Sequence, residues 1–187
     1  MLVEKIDTWI RDKFFEPVSQ AIQVRTGHTC YYVAWWCVGG AFLSQCLFMS
    51  SWIRLVFETG GIQPEWAAAF WISVVVFPCF LINCVADLYK LQKLWERSSW
   101  QNAALGESRT AIMTYYRMLT ASMFLVSFLG FGVLAVLSET SVITTRHVAL
   151  IGTWFLAMCT EYFASCTPLP PSASRKETAE GFRTNAA

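Results

Sequence analysis

Glu161 is a carboxylate inside an apolar run, Val148 to Cys166, where its neighbours are Thr153, Trp154, Phe155, Ala157, Tyr162 and Phe163. At membrane depth an ionisable side chain faces a helix bundle or a water-filled cavity and pairs with another group. The candidate partners are Arg117, which begins the preceding apolar run, and Asn83 and Asp87, which close the second. Two chemistries follow. Asn83, Asp87, Arg117 and Glu161 can form an intramembrane polar cluster that carries an ion or proton, or Glu161 and Arg117 can form a structural pair that fixes helix register. Glu161 lies about one and a half turns from the end of its run, close enough to the interface to be hydrated, which favours the structural pair.

The other reactive residue types point to less. Two axial histidines on one haem must share a depth, but His28 and His147 fall at opposite edges of the apolar region. Cys37, Cys79 and Cys159 share a depth near its middle, yet the close-spaced pairs typical of thiolate metal sites are absent. Cys30, Cys84 and Cys166 lie at run ends, where acylation is conceivable in a eukaryote. There is no glycine-rich phosphate loop, no zinc-spaced histidine pair and no nucleophile-elbow serine. The expectation is a non-enzyme with no catalytic residue, cofactor or metal.

The elements that must hold these residues are written in the composition. Of 187 residues 55% are apolar and 14% charged, and the apolar ones are gathered into long runs. A span needs about 20 such residues. Four stretches qualify: about 30–53, 66–86, 118–137 and 148–166. Lys5, Arg11, Lys13 and Arg25 precede the first; Lys90, Lys93, Arg97, Arg109 and Arg117 separate the second from the third; Arg175, Lys176 and Arg183 follow the fourth. Only Arg54 and Arg146 fall on the other side, so the positive-inside rule places both termini in the cytoplasm or its equivalent. A net charge of +1 leaves no basic face for nucleic acid.

Within this frame, residues 1–27 form a cytoplasmic segment. Val3, Ile6, Ile10 and Phe14 recur at helical spacing with Leu2 and Trp9 alongside, while Lys5, Asp12 and Glu16 lie mostly opposite. Such a helix lies in the headgroup region, docks on a partner, or folds against the chain's own cytoplasmic ends. Pro17 interrupts it and Thr26-Gly27 breaks the chain before the first span. Gly39, Gly40 and Ser44 in the first span, and Thr153 and Ala157 in the fourth, are small residues that allow close helix packing. Pro78 predicts a kink, because it leaves the Val74 carbonyl without its usual helical donor. Leu88, Leu91, Leu94 and Trp95 carry the second helix beyond the membrane, and Ser138 to Arg146 forms a short turn that makes the last two spans antiparallel neighbours. Residues 167–187 read as a disordered cytoplasmic tail.

The expected fold is therefore all-α: residues 28–166 as four transmembrane helices in an antiparallel bundle, preceded by an amphipathic helix. The expected location is a multi-pass integral membrane protein, of a bacterial inner membrane or an organelle. Its expected partners are the lipid bilayer and either other membrane subunits or a second copy of itself, in a protein that acts by association. The alternative is a small channel, pore or transporter subunit built on Asn83, Asp87, Arg117 and Glu161.

Overall fold

The computed structural model describes residues 2–62, 64–97, 110–137 and 141–166; the expectations for the connection at 98–109 and for the tail at 167–187 lie outside them. The described residues are helical, with no strand among them. Seven α-helices follow in order: α1 (Leu2–Ile10), α2 (Glu16–Thr26), α3 (Cys30–Thr59), α4 (Pro64–Trp71), α5 (Phe77–Arg97), α6 (Thr110–Leu137) and α7 (Ser141–Ala164). Two helices, Cys30–Thr59 and Val74–Lys93, are long and apolar enough to cross a membrane.

Two π-helical turns interrupt the α-helical run, Arg11–Phe15 between α1 and α2 and Ile72–Val76 between α4 and α5. Each ends two residues before a proline. A proline ring clashes with the carbonyl four residues earlier and offers it no donor. Those carbonyls belong to Lys13 and Val74, and both lie within the π turns, where bonding reaches one residue further: the Glu16 amide donates to the Arg11 carbonyl. The backbone change expected at Pro78 thus takes this form, and Pro17 repeats it.

The helices outrun the apolar stretches. α3 continues to Thr59, α5 reaches Arg97 as its amphipathic extension predicts, and α6 starts at Thr110. α7 starts at Ser141, so most of the turn expected over 138–146 is helical. Backbone hydrogen bonding, and not hydropathy, sets where a helix stops. α2 ends at Gly27, whose φ of 74° is the left-handed conformation glycine adopts without strain and whose amide donates to the Gln23 carbonyl at 2.8 Å.

The chain divides into two compact units. One comprises Cys37–Asp87 and Leu119–Cys159. Its core is aromatic: Phe48, Trp52, Phe77 and Trp154 are buried with Ala149 and Leu150, and Phe80, Met123 and Phe124 pack against them. Beside it α3 and α7 approach closely through small side chains. Ser44 Oγ donates across to the Ala149 carbonyl at 2.7 Å, and a Cβ on Gly152 would meet the same oxygen at 2.8 Å. A Cβ on Gly40 would stand 3.1 Å from Leu156. Four residues forward on α3, from Gly40 to Ser44, match four residues back on α7, from Leu156 to Gly152, so the two helices run antiparallel. Ala41 and Ala157 are fully buried nearby with Leu81.

The other unit comprises the described parts of Met1–Trp36, Leu88–Met118 and Thr160–Ala187. Its interior mixes apolar side chains, among them Tyr31, Leu88, Tyr162 and Phe163, with polar ones. Asp7, Ser19, Gln23, Arg117, Thr160 and Glu161 are all buried, while Ile6, Trp9, Phe14 and Val18 are exposed. The N-terminal segment therefore docks on its own chain through Asp7 and Phe15 and leaves much of its apolar face outward.

Candidate functional site

Arg117 makes a buried ion pair in this second unit. α6 carries Arg117 in its third turn, with Thr114 one turn earlier on the same side. The guanidinium takes Asp7 of α1 in a two-pronged grip: Nε donates to Oδ1 at 3.0 Å, and Nη2 donates to Oδ2. Nη2 also donates to Thr114 Oγ1 at 3.0 Å. The side chains of Arg117 and Asp7 are only 3% and 2% exposed. Fork-to-fork pairing of this kind is the strongest ordinary contact between an arginine and a carboxylate.

Aromatic rings close the site. The Arg117 guanidinium carbon lies 5.8 Å from the centre of the Tyr162 ring, within cation–π range. Phe15, carried by the π turn after α1, stacks on Tyr162 at 4.6 Å with the planes 11° apart and meets Phe163 edge-on at 5.1 Å. Glu161 is buried in the same unit, next to Tyr162 in the last turns of α7. The structure thus buries Arg117 and Glu161 in one unit and makes Asp7 the direct partner of the arginine. Sequence reasoning passed over Asp7, although a signal was present: it stands four residues after Val3 and three before Ile10, a charge set into an apolar stripe.

Asn83 and Asp87 belong to the other unit. Asp87 is half-buried, whereas Asn83 is exposed on the outward face of α5, in line with Val75 and Cys79. Of the small residues expected to pack, Gly40, Ser44, Thr153 and Ala157 lie at or beside the α3–α7 contact, and Thr153 Oγ1 donates back to the Ala149 carbonyl at 2.9 Å. Gly39 is exposed, with nothing within 4 Å of where its Cβ would be, because it points about 100° away from Gly40 on the helix.

Arg146 lies in the unit with the aromatic core. Its guanidinium carbon is 4.5 Å from the Trp52 ring centre, and Nε donates to Ser51 Oγ at 3.3 Å. Burial lowers its pKa; burial and then the Arg146 charge lower that of His147 beside it. None of the seven cysteines is in a disulfide, and Cys30, Cys84 and Cys166 are buried, which hides them from acylation. Among the described residues no group of three or more His, Cys, Asp or Glu side chains is gathered closely enough to hold a metal ion.

Set against known proteins, the chain matches no family model, no curated protein and no solved structure.

Proposed function

We propose that this chain is a four-span integral membrane protein that acts by association, pairing with a second copy through the outward face of α5. The observation that carries the reading is the position of Asn83. It lies in the last turn of the apolar run 66–86 and is exposed beside Val75, Val76, Cys79 and Ile82. Among outward apolar side chains an amide gains from a partner on another helix, where water competes less than on an open polar surface. Asn carries donors and an acceptor together, so two copies related by a two-fold axis satisfy each other.

The membrane setting is supported by the outward surfaces of the long helices. Trp36, Leu43 and Leu47 on α3 and Leu125, Val126 and Leu129 on α6 are exposed, a pattern that suits a lipid solvent and not water. α6 and α7, at 28 and 24 residues, have the length for the remaining two spans. The charge asymmetry puts both termini on the cytoplasmic side. The transport reading has less support, since Arg117 is held by Asp7 and Asn83 faces outward.

Cys79 precedes Asn83 by one turn on the same face and reports on the contact. Protein extracted in mild detergent is expected to have the mass of a dimer and to form a Cys79–Cys79 cross-link under oxidation, lost in Cys79→Ser. A monomer with no cross-link at Cys79 refutes the self-association, and co-purification of one different membrane protein in fixed ratio assigns the face to that partner instead.

A further inference from the structure

The α3–α7 contact sets two cysteines against each other. Gly40 lies opposite Leu156 and Ser44 opposite Gly152; three residues back from Gly40 is Cys37, and three residues on from Leu156 is Cys159. The same antiparallel register therefore puts Cys37 and Cys159 face to face. The backbones are close here: an interhelical hydrogen bond of 2.7 Å from Ser44 and the missing Cβ of Gly152 draw the helices together. Bridging requires Cα atoms within about 7 Å and converging Cβ vectors, a geometry that facing positions on closely packed helices favour. Cys159 is buried and Cys37 half-buried.

The other cysteines are arranged differently. Cys30 Sγ donates to the Cys166 carbonyl at 3.4 Å and Cys166 Sγ to the Tyr162 carbonyl at 3.3 Å, so these two thiols turn to the backbone. Cys46 and Cys79 are exposed.

We propose that Cys37 and Cys159 form a redox-active dithiol that a lipid-soluble quinone closes to a disulfide. In the step each sulfur gives up its proton, the S–S bond forms, and the two protons and two electrons pass to the quinone, which leaves as the hydroquinone; no atom is added to the protein. A second thiol within reach directs oxidation to the disulfide and away from the sulfinic and sulfonic acids. The pairing rests on the helix register alone. The class of oxidant rests on the membrane reading, because a dithiol set within two spans is reached by an oxidant that partitions into lipid.

The test uses the full chain in phospholipid nanodiscs, reduced, freed of reductant and mixed with a short-chain ubiquinone. Hydroquinone formation is followed by absorbance, and free thiols are counted after denaturation by maleimide labelling and peptide mapping. The expected result is loss of the labels on Cys37 and Cys159 among the seven cysteines, recovery of a linked peptide pair containing those two, and in Cys79→Ser a yield of hydroquinone equal to that pair. Cys37→Ser and Cys159→Ser each abolish all three signals, while Cys46→Ser and Cys79→Ser keep them. Cys37 and Cys159 both still labelled in the wild type, or either one linked to a different cysteine, overturns the proposal whatever happens at Cys79, and this readout needs no variant to fold. Whether the chain leaves cell membranes only with detergent is scored separately, so a failure of the membrane reading is distinguishable from a failure of the pairing.

Discussion

Asp7 and Arg117 are separated by 110 residues, yet they form a bidentate ion pair in the buried interior of one unit. A desolvated pair of this kind adds little net stability compared with apolar residues of the same volume, but it makes the loss of either partner costly. It ties the N-terminal helix to α6 in a single register.

Asp7→Ala removes the carboxylate and leaves the guanidinium short of its principal partner, at an expected cost of about 3–5 kcal/mol. The double variant Asp7→Leu/Arg117→Met recovers most of that loss. Thermal unfolding of the three proteins in one detergent checks the cycle; a single-variant loss below about 1 kcal/mol shows a solvated pair.

The α3–α7 contact is expected to respond to size in one place and not in another. Gly152→Ala presses a methyl against Ser44 Oγ and loses about 1–3 kcal/mol, as overpacking does. Combining it with Ser44→Ala relieves the clash, so the two changes are non-additive in a double-mutant cycle. Gly39→Ala, with open space around it, shows no such loss.

At the outward face of α5, Asn83→Leu keeps the side chain's bulk and deletes its hydrogen bonds. Interhelical polar contacts in membranes contribute about 1 kcal/mol each, so two symmetric bonds predict a dimer weakened on the order of ten-fold or more. Detergent-dilution sedimentation measures it, and an unchanged dissociation constant removes Asn83 from the interface.

His147 makes stability depend on pH in a defined direction. Burial, helped by the Arg146 charge, holds its folded pKa below the ordinary 6.5. The unfolded chain then takes the proton first, so stability is level above about pH 6.5 and declines as pH falls from there toward the lowered folded value. His147→Gln flattens that part of the melting-temperature profile; an identical decline in the variant assigns it to other groups.

Much of the helical framework is legible in the chain. Pro17 and Pro78 mark where the backbone departs from α-helix, Gly27 marks where α2 ends, and Leu88 to Trp95 carries the pattern that extends α5. Helix ends are less legible, since hydropathy falls off before backbone hydrogen bonding does, as α6 and α7 show by starting well ahead of their apolar runs. Glu161 and Arg117 stand out in the sequence because charges are rare in apolar surroundings, and both are buried in one unit.

What the sequence by itself determined is the class of object, an all-helical chain with apolar stretches of spanning length, because composition and spacing are properties of the chain alone. What only the tertiary structure decided is which residues meet. Periodicity assigns a residue to a face of its own helix but carries no information about the face that it meets. For this reason Asp7 emerged as the partner of Arg117, Asn83 turned from the interior to the outside, and two cysteines 122 positions apart, Cys37 and Cys159, came to face each other.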